Sequence, residues 1–199
     1  AIIDYGVGNL NAFVNIYKKL SIPVTIAKTR ADLEQAEKII LPGVGAFDYA
    51  IEKLNQSGMR ETLDDMILNK KKPVLGICVG MQILAKSSEE GVLPGLGYID
   101  ATVKKFSEHT GVNLPHMGWN DVHPGNNIPI FVSLEQAPLF YFLHSYYFVC
   151  NNREDILATA YYGENFTCAA GSGNIFGVQF HPEKSHSYGI RLLENFSKL

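Results

Sequence analysis

Cys78 lies in the run Gly76-Ile77-Cys78-Val79-Gly80-Met81-Gln82, with a glycine two residues to either side. The apolar residues 72–77, opened by Pro73, predict a buried strand, and the run from Met81 predicts a helix. A cysteine at a strand-to-helix turn has the form of a nucleophile elbow. Such a turn is tight, and a Cβ at position 76 or 80 would meet neighbouring backbone. The thiol then points off the sheet at a helix N-terminus, where the macrodipole and free N–H groups favour thiolate. Read alone, the pattern fits a buried cysteine beside two turn glycines equally well.

A second run, Gly177-Val178-Gln179-Phe180-His181-Pro182-Glu183, holds the groups such a thiol needs. Residues 174–180 alternate and predict a strand, ended by Pro182. His181 and Glu183 then sit just past a strand end. An imidazole there can take a proton from a thiol, and a carboxylate can fix its tautomer and steady the imidazolium. Cys78 and His181 are distant in sequence. They meet if both strands belong to one parallel sheet, whose functional loops gather at the carboxyl ends.

The remaining sequence predicts the elements that position them. In the first half, strands at 2–3, 24–27, 38–41 and 72–77 alternate with helices. The helix after Gly8 has Leu10, Phe13, Val14, Tyr17 and Leu20 at helical spacing. Further helices are expected at 29–36, with Thr29 and Asp32 as a capping pair, and at 46–54 and 59–69. This alternation argues for a parallel sheet covered by helices. After Gly91 the pattern becomes strands at 102–106, 114–117, 140–149, 156–162, 166–170 and 174–180, then a helix at 188–198. The expectation is one α/β domain over residues 1–199, a mostly parallel central sheet with flanking helices and an antiparallel extension in the C-terminal half.

Composition excludes several function classes. At 199 residues and 46% hydrophobic, the chain can bury the core of one domain. A net charge of −3 gives no electrostatic case for nucleic acid or an anionic membrane. Phe140-Tyr141-Phe142 therefore reads as a half-buried strand and not as a base-stacking platform. No apolar run reaches membrane-spanning length. Ala1-Ile2-Ile3-Asp4 already predicts a strand, so no signal peptide is expected. Cys78, Cys150 and Cys168 cannot all pair, which suits a reducing cytoplasm, with Cys150 and Cys168 as small core residues. The six histidines lack metal-ligand spacing, so no metal is expected.

Two glycine turns carry open readings. Gly6-Val7-Gly8-Asn9 lacks the spacing of a dinucleotide fingerprint and the Lys-Ser/Thr of a P-loop, so no nucleotide cofactor is expected. Asn9 there is a helix N-cap or a surface contact. Pro42-Gly43-Val44-Gly45 is an ordinary turn, or one whose glycines let a backbone N–H face a developing oxyanion.

Gly76-Ile77-Cys78-Val79-Gly80-Met81-Gln82 together with Gln179-Phe180-His181-Pro182-Glu183 resembles the class I (triad) glutamine amidotransferases. Pro115-His116-Met117-Gly118-Trp119-Asn120, Phe140-Tyr141-Phe142-Leu143-His144-Ser145-Tyr146 and His181-Pro182-Glu183-Lys184-Ser185 narrow the resemblance. They are similar to the glutaminase subunits of imidazole glycerol phosphate synthases, and the likeness runs from Ile2 to Phe196. It implies a flavodoxin-like fold with Cys78, His181 and Glu183 as catalytic residues. It implies Val44 and Val79 N–H groups as oxyanion donors, and Gly43, Gln82, His144, Ser145 and Tyr146 as the glutamine site. Asn9, Trp119, Asn120 and Tyr141 would face a (β/α)8-barrel cyclase subunit in a heterodimer. The implied reaction hydrolyses L-glutamine to glutamate and ammonia without a cofactor, for histidine biosynthesis. The same residues fit a paralogue supplying ammonia for amidino-sugar synthesis on surface polysaccharide. A non-catalytic binding subunit would have no use for all three triad residues.

Overall fold

The computed structural model describes residues 1–107, 109 and 111–199. Strands and helices alternate first: β1 (Ile2–Ile3), α1 (Leu10–Lys19), β2 (Ile26–Ala27), α2 (Arg30–Glu34), β3 (Ile39–Leu41) and α3 (Phe47–Gln56). Helix α4 (Arg60–Asp64) widens into a π turn over Asp65–Asn69, followed by β4 (Val74–Ile77) and the four-residue α5 (Val79–Gln82). The rest is mostly strand: β5 (Ser87–Ser88), β6 (Ala101–Lys105), β7 (His116–Asp121), β8 (His123–Pro124), β9 (Leu139–His144), β10 (Tyr146–Cys150), β11 (Ile156–Tyr162), β12 (Glu164–Ser172) and β13 (Ile175–Val178). Helix α6 (His186–Ser197) closes the chain.

The main sheet runs β2-β1-β3-β4-β13-β12-β10-β6-β5, with β11 and β8 branching from β12. β2, β1, β3, β4 and β13 are parallel, and β12, β10 and β6 continue the sheet antiparallel. This is the α/β division expected from the sequence. β3, β4 and β13 have no exposed residue, as strands covered on both faces require. The predicted capping pair is a full capping box: Thr29 Oγ1 accepts from Asp32 N–H, and the Asp32 carboxylate accepts from Thr29 N–H.

Four expectations shift. Residues 140–149 form two strands, because the chain changes sheets at Ser145. β9 pairs with β7 in a separate two-stranded ribbon, whereas β10 joins β6 and β12. The mostly aromatic run conceals this change of partner. Helix α5 ends at Gln82 and does not continue through Lys86, whose N–H instead donates to Ala101 O at 2.9 Å. Asn9 precedes α1 but makes no side-chain capping bond. Cys168 is a core residue as expected, whereas Cys150 is only half-buried.

Candidate active site

β3, β4 and β13 lie side by side in parallel, with Leu41 opposite Gly76 and Gly76 opposite Gly177. Their carboxyl ends therefore deliver Pro42–Gly45, Cys78 and the segment from Gln179 to Glu183 to one edge of the sheet. Cys78 is buried and has φ 54° and ψ −114°. Such a backbone costs about 1–3 kcal/mol and persists only when its surroundings over-determine it. They do so here. Cys78 N–H donates to Val178 O at 2.8 Å. A Cβ on Gly76 would lie 2.5 Å from Gly80 O, and one on Gly80 would lie 2.0 Å from Leu41 O. Gly43 packs equally close, since its Cβ would fall 2.2 Å from Gly80 N. The buried Tyr5 hydroxyl donates to Pro42 O at 2.5 Å and ties the turn down at its start. Beyond that tie Val44 is 45% exposed.

His181 and Glu183 meet as the sequence predicts. Nδ1 of His181 and Oε1 of Glu183 are 2.8 Å apart, and both side chains are buried. A carboxylate only accepts, so Nδ1 carries the proton and Nε2 is left for Cys78. Burial disfavours the imidazolium, but hydrogen bonding and charge from Cys78 and Glu183 outweigh it and raise the His181 pKa. Glu183 Oε2 is buried without a hydrogen-bond partner among the described residues.

Backbone bonds fix the position of His181. Its N–H donates to Tyr141 O at 2.8 Å. Ser185 Oγ donates to His181 O at 2.6 Å and accepts from Tyr141 N–H at 3.0 Å. Ser185 thus clamps the His-Pro-Glu turn to β9, a role the sequence reading missed. Its signal was a serine closing a Pro-initiated turn, where a hydroxyl bonds local backbone.

A cavity of about 300 Å³ opens over these groups, lined by Val44, Cys78, Val79, His144, Ser145, Tyr146 and His181 among others. A second cavity of about 310 Å³, between Tyr17, Gln35 and Phe196, contains neither cysteine nor histidine in its lining. Chemistry and not volume identifies the site. Val79 is the first residue of α5, so its N–H has no acceptor within the helix and is available at the cavity. Gln82 was expected at the start of the elbow helix and against glutamine. It is the last residue of α5, and its Nε2 donates to Tyr146 O (3.1 Å) and Gln179 Oε1 (3.0 Å). Gln179, also missed, is fully buried and directs Nε2 at Cys78 Sγ, 3.8 Å away. It could have been noticed as the one polar side chain between Val178 and Phe180.

The β7–β9 ribbon flanks the cavity. Its outer face exposes Met117, Trp119, Leu139 and Leu143, with Met117 opposite Leu143 and Trp119 opposite the half-buried Tyr141. Lys184 Nζ lies 5.5 Å from the Tyr141 ring centre, and Trp119 stacks on His186 at 5.1 Å. Of the four residues expected at a partner interface, Trp119 and Tyr141 lie on this outer face, and Asn9 is exposed elsewhere, ahead of α1. Strand alternation turns the Asn120 amide inward instead, onto Tyr161 O and His116. Among the described residues there is no cluster fit to hold a metal ion, and no helix is long and apolar enough to cross a membrane.

The chain belongs to the class I glutamine amidotransferases: the profile of that family, "Glutamine amidotransferase class-I", matches residues 1–199. Within the family, it is 55% identical to the imidazole glycerol phosphate synthase subunit HisH of Bdellovibrio bacteriovorus, over 100% of this chain and 98% of that one. It is 52% identical to the subunit of the same name from Leptospira interrogans, with the same coverage. It is 46% identical to imidazole glycerol phosphate synthase subunit HisH 2 of Pseudomonas aeruginosa, again over 100% and 98%. Solved glutamine amidotransferases share the fold. One matches with a TM-score of 0.75 at 17% identity, covering 100% of this chain and 99% of that one. Another, from Thermotoga maritima, matches at 0.67 and 20%, covering 99% and 81%.

Proposed function

We propose that this chain is the glutaminase subunit of an imidazole glycerol phosphate synthase. In this reading it hydrolyses L-glutamine and passes the ammonia to a (β/α)8-barrel cyclase subunit for histidine biosynthesis. The observation that carries the reading is the strained Cys78 facing an imidazole whose far nitrogen is held by the buried Glu183 at 2.8 Å. The 52–55% identity to HisH subunits over the whole chain supports the choice of synthase.

Cys78 Sγ attacks the side-chain amide carbon of glutamine while its proton resides on His181 Nε2. The N–H groups of Val79 and Val44 face the oxyanion, with Gly43 allowing that turn to press on the elbow. His181 returns the proton to the departing nitrogen, and ammonia leaves a thioester on Cys78. His181 then takes a proton from water, which attacks the thioester and frees glutamate. Glu183 keeps Nδ1 protonated throughout. Gln82, His144, Ser145 and Tyr146 shape the glutamine pocket. Ammonia in neutral water is mostly ammonium and no nucleophile, which is the physical reason to release it into a synthase and not to solvent. The exposed ribbon face around Trp119 and Tyr141, together with the exposed Asn9 ahead of α1, is the surface offered to the barrel. Three free thiols suit a cytoplasmic setting.

The test measures glutamate release at saturating glutamine by the chain alone, then with the barrel cyclase and its ribonucleotide ligand. The reading predicts slow hydrolysis alone and a rise of roughly 10²–10³ in kcat in the complex, the worth of one oxyanion donor. In this reading the Val44 N–H reaches the oxyanion only when the partner and its ligand are bound, so full activity in the free chain would mean that the 42–45 turn is preformed and would overturn that gating. A second reading keeps the chemistry and changes the synthase. Relatives named subunit HisH 2 and HisH 1 are 43–46% identical to this chain, so numbered copies exist within the group. Activation by a barrel protein of amidino-sugar synthesis, and not by the histidine cyclase, would select it.

A further inference from the structure

Behind the exposed face of the ribbon, two buried histidines join the inner ends of β7 and β9. His116 Nδ1 and His144 Nε2 are 3.0 Å apart, and the two residues are 3% and 6% exposed. His116 Nε2 is 3.3 Å from Asn120 Nδ2, and His144 Nδ1 is 2.8 Å from Tyr146 O. His116 is stacked between Tyr162 (4.0 Å) and Phe142 (4.8 Å). The glutaminase mechanism uses neither ring as acid or base, and His144 has no nitrogen left for glutamine.

The hydrogen positions follow from the two ends. Asn120 Oδ1 accepts from Asp121 N–H at 2.9 Å, and Nδ2 faces Tyr161 O at 2.9 Å. A carbonyl cannot donate, so the amide orientation is fixed and Nδ2 is the donor to His116 Nε2. At the other end Tyr146 O can only accept, so His144 Nδ1 carries a hydrogen. The middle bond must then run from His116 Nδ1–H to His144 Nε2. Both ends require the same answer: two neutral rings, each protonated on Nδ1, pointing one way. One further proton on either ring, or a reversed Asn120 amide, leaves two donors face to face.

The far end of this chain bears on the site. Tyr146 O accepts from His144 and also from Gln82 at the end of α5. Ser145–Tyr146 is where the backbone leaves the ribbon for the main sheet, and both residues line the cavity over Cys78. The carbonyl is thus the junction of ribbon, elbow helix and pocket wall.

We infer that Asn120, His116 and His144 form a one-way hydrogen-bond relay that positions the Ser145–Tyr146 wall of the glutamine pocket and ties it to the exposed ribbon. His116 and His144 are positioning residues, and this assignment rests on the glutaminase reading only for its kinetic consequence.

Two measurements test it. The first is side-chain 15N–1H correlation spectroscopy of the histidine-labelled chain at pH 7. Both rings should show a protonated Nδ1 and an unprotonated Nε2. An Nε2–H tautomer or an imidazolium at either ring overturns the relay, whatever the chain catalyses. The second compares His116→Phe with His116→Asn, after thermal unfolding confirms that each is folded. Phe keeps the stacked ring and removes both nitrogens. Asn gives up the ring but keeps a donor near the Nδ1 position. A packing role alone favours Phe. The relay favours Asn: KM for glutamine should rise roughly tenfold in His116→Phe, the equivalent of one buried hydrogen bond, and less in His116→Asn, with smaller changes in kcat. The reverse order, or wild-type KM in His116→Phe, overturns the proposal. A wild-type chain inert towards glutamine with and without its barrel partner would instead sink the glutaminase reading and leave the spectroscopic result standing.

Discussion

At the carboxyl ends of β4 and β13 the packing is backbone against backbone. Neither strand has an exposed residue, and glycines 43, 76 and 80 let three backbones touch where no Cβ would fit. The β7–β9 ribbon borders the same cavity and is built differently. One face holds the His116–His144 pair, while the other leaves Met117 65% and Trp119 46% exposed. The enclosed strands fix where Cys78 stands. The ribbon reaches the site mainly through backbone, by Tyr141 O to His181 N–H and through Ser185. A partner that covers the ribbon's outer face can therefore bear on the position of His181 without touching its side chain.

The largest effects should come from the enclosed half. Cys78→Ala should abolish glutamine hydrolysis and leave the fold intact, while a synthase complex supplied with ammonium at high pH continues to turn over. Substantial glutamate release by the pure variant would remove Cys78 from its role. His181→Ala should come next. Glu183→Gln keeps the geometry and should cost roughly 10- to 100-fold less in kcat, as the orienting member of a triad usually does. If Glu183→Gln proved the more damaging, the carboxylate would be acting directly and not through His181.

How much of this could be read beforehand divides along the same line. Cys78, its two glycines, and the His181-Pro182-Glu183 turn were legible because strain and strand ends leave local signatures: Gly at fixed offsets, Pro as a stop. That β1 to β4 are parallel strands covered by helices followed from simple alternation. The ribbon was not legible. Residues 140–149 are mostly aromatic and apolar, and the polar pair His144-Ser145 within the run does not by itself say that the chain changes sheets there. Asn120 was placed at the partner surface by the family resemblance, and its bonds to Tyr161 O and His116, on the strand face opposite Trp119, turn its amide inward. Ser185 makes one local turn bond, to His181 O, but its bond to β9 and that of Gln179 to Cys78 arise only when distant segments meet.

A smaller effect should come from the ribbon's outer face. Trp119→Ala removes an aromatic anchor but no group that touches Cys78 or His181. Affinity for the barrel partner should fall by about 2 kcal/mol, near thirtyfold in Kd, the lower bound for an interface hot spot. Hydrolysis by the isolated chain should stay within about threefold. Titration calorimetry against the barrel, with the basal assay beside it, separates the two. Equal losses in both would mean that the outer face supports the active site itself, and the contrast between the two regions would collapse.

The smallest effect is a difference of sign. Burial holds His116 near 4 and His144 near 3, below the ordinary 6.5. The unfolded chain takes up protons at these sites near 6.5 and the folded chain does not. Their stabilisation is therefore complete above pH 6.5 and declines as pH falls from there towards 4. His181 runs the other way. Burial opposes its charge, yet Cys78 and Glu183 raise its pKa, so the folded chain holds this proton more tightly than the unfolded one. Its contribution is present below 6.5 and is lost as pH rises through the raised value. Urea unfolding between pH 7.5 and 5, above the range where most carboxylates titrate, should show stability falling with acid in the wild type and falling less in His116→Phe. Alkaline titration should show a decline that Cys78→Ala flattens, because the variant removes one of the two groups that raise His181. If His116→Phe keeps the wild-type acid slope, the ribbon histidines are not held neutral by burial, and the opposition between the two regions does not exist in solution.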